Sequence, residues 1–142
     1  MKTRINLSPN GETPFQKLLG YNQDLMQKWA GLEETFFTCT GLSPELLEQV
    51  RRTLAFGNQC QYCMAKGKPK TENLNQREEL ASAFAELFLL DHLSINDGHF
   101  EVLREVFSDK EIVELCAFVC FITGAQRLGA VMNLTPGLKV QN

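Results

Sequence analysis

Two cysteines separated by two residues, in Cys60-Gln61-Tyr62-Cys63, and a glutamate twelve positions before the first of them, Glu48, are the residues whose types and spacing suit chemistry. A CxxC pair closes and reopens a disulfide without large backbone movement, and so carries two electrons. A thiolate that attacks a peroxide becomes a sulfenic acid, and a second thiol within reach condenses with it. Each step moves a proton, which a carboxylate held beside the pair can carry. A thiol redox centre is therefore the leading expectation, with Cys60, Cys63 and Glu48 as its candidate catalytic residues.

Such chemistry needs a thiolate, and a free cysteine near pKa 8.5 supplies little of it at neutral pH. A helix N-terminus lowers that value, and a short helix starting near Asn58 would place both sulfurs in its first turns. The positive charges of Lys66 or Lys68 would act in the same direction. The competing use of a CxxC is half of a zinc site, which wants a second pair of ligands. Cys116 and Cys120 lie four apart and one helix face would present both. Their neighbours Leu115, Phe118, Val119 and Phe121 read as core, so Cys116, Cys120 and also Cys39 are expected to be buried as small hydrophobes and no metal site is expected. Tyr62 reads as packing or as a wall of the site, and Glu48 by itself would read as a solvated charge.

The elements that must hold these residues are helical, since the apolar periodicity is near 3.6 almost everywhere and strand signals are nearly lacking. Thr13-Pro14 and Ser43-Pro44 are cap-then-proline starts. The first opens a stripe of Phe15, Leu18, Leu19, Leu25, Met26 and Trp29, with a bend expected at Gly20; the second opens Leu46, Leu47, Val50, Leu54 and Phe56, ended by Gly57-Asn58. The run from Lys66 to Lys70 contains Gly67 and Pro69 and breaks the chain. Helix is expected over 74–93, then a restart near 94–97 into Phe100, Leu103, Val106 and Phe107. Ser108-Asp109-Lys110-Glu111 is a capping box that opens a long helix over 109–132. That helix is apolar on too many faces to have one side exposed, and is expected either central or buried between subunits. The tail from Asn133 is expected to be loose or packed on a partner.

The chain of 142 residues, 44% hydrophobic and 22% charged, fits one all-α domain over 1–142 with about six or seven helices. Its net charge of −3, from 14 basic and 17 acidic residues without a basic cluster, argues against a nucleic-acid partner. The longest uncharged apolar stretch, 115–125, is short of the roughly 20 residues that span a bilayer. With no signal-peptide pattern after Met1 and five cysteines, an odd number, the expectation is a cytoplasmic protein with no membrane partner and no permanent disulfide framework.

Glu48-Gln49-Val50-Arg51 followed by Asn58-Gln59-Cys60-Gln61-Tyr62-Cys63 resembles, in order and spacing, the alkylhydroperoxidase D and carboxymuconolactone decarboxylase-like family. Weaker likeness extends over Thr13-Pro14-Phe15, Ser43-Pro44-Glu45-Leu46 and Glu114-Leu115. The resemblance implies an all-helical fold assembling as a homo-oligomer, a trimer, hexamer or similar ring. It also implies cofactor-free peroxidase or disulfide oxidoreductase activity of the peroxiredoxin type, acting on a hydroperoxide and recycled by a dithiol protein. Under it, Cys63 matches the peroxide-attacking thiol, Cys60 the resolving thiol and Glu48 the proton-relay acid. Redox members of that family carry a histidine four residues after the second cysteine, where this chain has Gly67. His92 and His99 are the only histidines, each expected at the surface, with His92 the better substitute. Two rival functions follow: a non-catalytic or redox-sensing oligomer that has lost its relay, and a decarboxylase-like enzyme using Glu48 and a histidine on a small lactone or acid.

Overall fold

Helix starts in this protein follow the side chains able to cap them. A computed structural model describes residues 2–137, and among them every regular element is helical. Thr13 caps α1 (Pro14–Leu19), Asn22 caps α2 (Gln23–Thr38) and Ser43 caps α3 (Pro44–Asn58), each side-chain oxygen accepting from a backbone N–H of the first turn. Cys60 opens the single turn α4 (Gln61–Met64). Capping boxes at Asn75, Asn96 and Ser108 open α5 (Gln76–Asp91), α6 (Asp97–Arg104) and α7 (Asp109–Val131).

Three boundaries depart from expectation. The bend at Gly20 is a full break between α1 and α2, because Asn22 supplies a fresh cap. The helix over 74–93 is shorter at both ends, since Asn75 is the cap and His92–Ser94 tightens into a 3-10 turn. Asn58 closes α3 rather than opening the cysteine helix; the reversal comes at Gln59, in the left-handed region at φ 52°.

The core is a three-helix sandwich with α3 in the middle, packed on α5 and α7. Leu46, Leu47, Val50 and Leu54 of α3 are at most 1% exposed, and meet Ala81, Phe84 and Ala85 of α5 and Leu115, Phe118 and Val119 of α7. Phe36 and Phe37 of α2 close this core edge-on against Phe118, at 5.3 and 5.7 Å between ring centroids. Phe56, expected on the same stripe as Leu54, is turned outward.

The long helix α7 has 23 residues and is, by length and composition, long and apolar enough to cross a membrane, which the count over 115–125 did not register. An uncharged polar residue such as Gln126 stops an apolar run without stopping such a helix. Its inner side is nevertheless core of this fold, while Val113, Ala117, Cys120 and Gly124 stay exposed in the single chain. Cys120 and Cys39 are therefore exposed and Cys116 is half-buried, a correction to the expected burial of all three. Residues 116 and 120 sit about 100° around the helix from Leu115 and Val119, on the edge of the buried stripe. Of the tail, Leu134 is buried and its N–H donates to Gly129 O at 2.9 Å, so the chain there packs on itself. The remaining tail expectation falls on 138–142, outside the described residues.

Candidate active site

Two polar clamps hold the cysteine turn against α3 and α7. The buried Gln126 of α7 accepts from the Asn58 side chain at 2.9 Å and donates to Arg51 O at 3.0 Å, tying the end of α3 to α7. Gln49 of α3 donates to Lys70 O at 3.0 Å and accepts from Lys70 N at 2.9 Å, pinning the 66–70 loop. Between these clamps, Cys60 N donates to Ala55 O at 3.3 Å, and the Cys60 sulfur accepts from Cys63 N at 3.3 Å.

Cys60 and Cys63 are joined in a disulfide, with Cα atoms 5.1 Å apart. The two sulfurs sit in different surroundings. Cys60 is completely buried, and its sulfur packs so close to Gly129 of α7 that a Cβ there would lie 3.0 Å from it. Cys63 borders a cavity of about 190 Å³. Its lining combines the apolar Phe15, Trp29, Phe121 and Ile122 with the polar Thr13, Glu33, Arg51, Tyr62, Lys66 and Gln126.

The charges around this cavity are arranged by one carboxylate. Glu48 accepts from Arg51 Nε at 2.9 Å and from Arg51 Nη2, and from Arg52 Nε at 3.0 Å. The Arg51 hydrogen bond, helped by Arg52 and opposed by partial burial, holds the Glu48 carboxyl below the usual carboxylate range. Arg51 itself is only 9% exposed. Lys66 Nζ lies 5.2 Å from the centre of the Tyr62 ring. Desolvation of that ammonium, and then the charge of Arg51, push the Lys66 pKa down against Glu33 and Glu48, although the residue as a whole stays open to solvent. Burial pushes the Tyr62 phenol up.

Three solved structures share this arrangement of helices. An uncharacterised peroxidase-related protein from Silicibacter sp. TM1040 superposes with a TM-score of 0.77 at 18% identity, over 87% of this chain and 75% of that one. A second, an uncharacterised peroxidase-related alkylhydroperoxidase AhpD core from Ralstonia eutropha JMP134, gives 0.73 at 19% identity, over 87% and 77%. A protein of unknown function from Agrobacterium tumefaciens gives 0.74 at 17% identity, over 97% of this chain and all of that one (100%). The fold is alkylhydroperoxidase D-like. No protein-family model and no curated protein sequence matches the chain, so the likeness is one of fold.

Within this alkylhydroperoxidase D-like fold, Cys60 and Cys63 come together, with Cys63 at the cavity and Cys60 buried off it. Glu48 stands behind Arg51 and does not line the cavity. Tyr62 is a wall, as expected, and Lys66 lines the same cavity. Lys68 is exposed, and only its carbonyl is engaged, by Arg52 Nη1 at 3.4 Å. Neither histidine reaches the cavity: His92 is exposed and stacks on Phe88 at 5.8 Å, while His99 caps α6 and borders a separate pocket near Leu80 and Phe84. Gly67 has φ +119°, where L side chains are strained, and a Cβ on it would lie 3.3 Å from Arg52 Nη1. Backbone geometry and the Arg52 guanidinium together disfavour a histidine at that position. The expected helix field on the thiols is also weak, because α4 is one turn of four residues. Among the described residues, no three of His, Cys, Asp and Glu converge as a zinc site requires.

Three contributors have no role assigned from the sequence: Gln126, and Gln49 and the buried Arg51, although the last two lie in the Glu48-to-Arg51 segment that carries the resemblance. An amide clamp has no motif, and an arginine on a helix reads as solvated.

Proposed function

We propose that Cys60 and Cys63 form a two-electron thiol centre that reduces a hydroperoxide and is recycled by a dithiol. The observation that carries this reading is the asymmetry of the pair: Cys63 borders a cavity lined in part by apolar residues, and its disulfide partner Cys60 is fully buried and off that cavity. In the reduced protein, the Cys63 thiolate attacks one peroxide oxygen. The S–O bond forms, the O–O bond breaks, the sulfur is oxidised to sulfenic acid and the hydroperoxide is reduced to an alcohol. The Cys60 thiol then attacks that sulfur; the S–S bond forms, and the oxygen leaves as water with the Cys60 proton. A dithiol reduces the disulfide by exchange and is itself oxidised.

Positive charge on the cavity wall, from Arg51 and Lys66, supports the Cys63 thiolate. Glu48 enters this reading through Arg51, whose guanidinium it fixes at the wall. Partners in this reading are the hydroperoxide, the dithiol and further copies of the chain. The last is supported by the exposed small and apolar residues of α7, and size-exclusion chromatography with light scattering tests it: a monomer at micromolar concentration refutes it.

The deciding experiment measures tert-butyl hydroperoxide consumption with dithiothreitol as reductant. Cys63→Ser should abolish turnover with the helical circular dichroism unchanged, and Cys60→Ser, given one equivalent of hydroperoxide without dithiothreitol, should leave a Cys63 sulfenic acid. Turnover that survives in Cys63→Ser refutes the assignment. The redox-sensing alternative is favoured by the lack of a histidine at Gly67, and predicts one disulfide per hydroperoxide without repeated turnover.

A further inference from the structure

Resting on that redox reading, we propose that Lys66 is the proton donor of the Cys63 reaction. Lys66 lines the same cavity as Cys63, and its ammonium protonates the oxygen expelled when the thiolate takes the other.

An alkoxide is a poor leaving group, so cleavage of the O–O bond is helped by an acid at the cavity wall. The titratable side chains bordering the cavity, besides Cys63, are Glu33, Arg51, Tyr62 and Lys66. Glu48 is held ionised, both its oxygens are taken by guanidinium groups, and it lies off the wall. Arg51 never gives up its proton. Neither histidine borders the cavity. Tyr62 borders it, but burial makes its phenol a weaker acid.

Lys66 is placed differently. It follows Cys63 by three residues, and its backbone N–H donates to Cys63 O at 3.2 Å, which keeps the two residues in one turn. Its Nζ stands over the Tyr62 ring at 5.2 Å. The charged and titratable groups facing it are Glu33 of α2, Glu48 and Arg51 of α3, and Tyr62 of α4. Burial and the Arg51 charge lower its pKa from the usual lysine value, which makes its ammonium a stronger acid. After the transfer, the neutral amine regains a proton from water, and the alcohol departs.

The test separates proton donation from charge. Alkylation of the reduced protein by iodoacetamide needs the Cys63 thiolate but no proton donor, because iodide leaves unaided. Reaction with tert-butyl hydroperoxide needs both. In wild type, the single-turnover hydroperoxide rate should rise with pH as Cys63 ionises and fall again on an alkaline limb as Lys66 loses its proton. Lys66→Arg keeps the charge and cannot donate. It should slow the hydroperoxide reaction by about 100-fold and remove the alkaline limb, the size expected for a lost general acid. Its alkylation rate should stay within about twofold of wild type, since the field on the thiolate is kept. Glu33→Gln, Glu48→Gln and Tyr62→Phe should all retain the limb. A wild-type rate and limb in Lys66→Arg, or loss of the limb in Glu33→Gln, Glu48→Gln or Tyr62→Phe instead, overturns the proposal. Those results leave the redox reading standing, because that falls only if Cys63→Ser still turns over.

Discussion

Arg77–Glu111 and Arg51–Glu48–Arg52 both fasten a glutamate with guanidinium groups, yet the first joins residues 34 apart and the second joins neighbours on one helix. Arg77 of α5 donates to Glu111 of α7 at 2.6 Å, to Val106 O at 2.6 Å and to Gly41 O at 3.3 Å, and its guanidinium lies 4.5 Å from the Phe107 ring centre. It gathers four segments at the end of the bundle opposite in role to the site. The Glu48 cluster closes no loop, because α3 holds its three residues one turn apart whether or not they pair. Such local pairs add little to stability. What the Glu48 cluster supplies is orientation: Arg51 against the cavity wall and Arg52 under Gly67. Similar chemistry thus serves assembly in one place and a reactive surface in the other.

Removing Arg77 is the strongest way to break this contrast. Arg77→Met should cost about 2 kcal/mol in urea unfolding, since it leaves carbonyls and a carboxylate without their donor. Alkylation of the reduced Cys63 should hardly change. The same cluster sets an acid limit. Hydrogen bonds from Arg77, and then from the Ser108 backbone, hold Glu111 down to about 2, from the usual 4.5. A carboxyl depressed in the folded state stabilises fully above its unfolded value and loses that contribution as pH falls from 4.5 toward 2. The shift corresponds to roughly 3 kcal/mol at most, reduced to about 1–2 kcal/mol by the partly exposed Arg77. Acid unfolding curves should therefore steepen between those values in wild type and flatten there in Arg77→Met. Parallel curves would remove the staple from the account.

The sequence revealed these two regions unequally. Caps are local, so Thr13, Ser43 and the Ser108-to-Glu111 box placed three helix starts correctly, and the α3 stripe from Leu46 to Leu54 is core as its spacing demands. The cysteine pair was legible for the same reason, being a contact made by residues three apart. The remainder of the site is tertiary. Gln126 meets Asn58 from 68 residues away, and Gln49 meets Lys70 from 21 away, and neither spacing leaves a pattern in the chain. Asn58 misled because its cap-like side chain is spent on α7 rather than on the next turn. Cys120 misled because apolar neighbours in sequence are not neighbours around a helix.

Gly67 is where local strain and the Glu48 cluster meet. Gly67→Ala places a Cβ at φ +119° and 3.3 Å from Arg52 Nη1, so it should cost about 1 kcal/mol by thermal unfolding. Gly67→His should be no more stable than the alanine variant, because the strain lies in the backbone. An increase in stability for either would show that the loop relaxes freely, and that Arg52 does not close the space beside it.

Glu48→Gln probes the smallest energy. The glutamine keeps one acceptor oxygen but loses the charge, so stability should fall by only about 0.5 kcal/mol, as for other pairs along a helix. The site should respond more than the fold. With its counter-charge gone, Arg51 carries an uncompensated positive charge at the cavity wall, which favours the Cys63 thiolate and disfavours the Lys66 ammonium. Iodoacetamide alkylation should then reach half its maximal rate at lower pH than in wild type, and the alkaline limb of the hydroperoxide reaction should move to lower pH with it. A stability loss as large as that of Arg77→Met, with both pH profiles unmoved, would make the Glu48 cluster a second staple and erase the difference between the two.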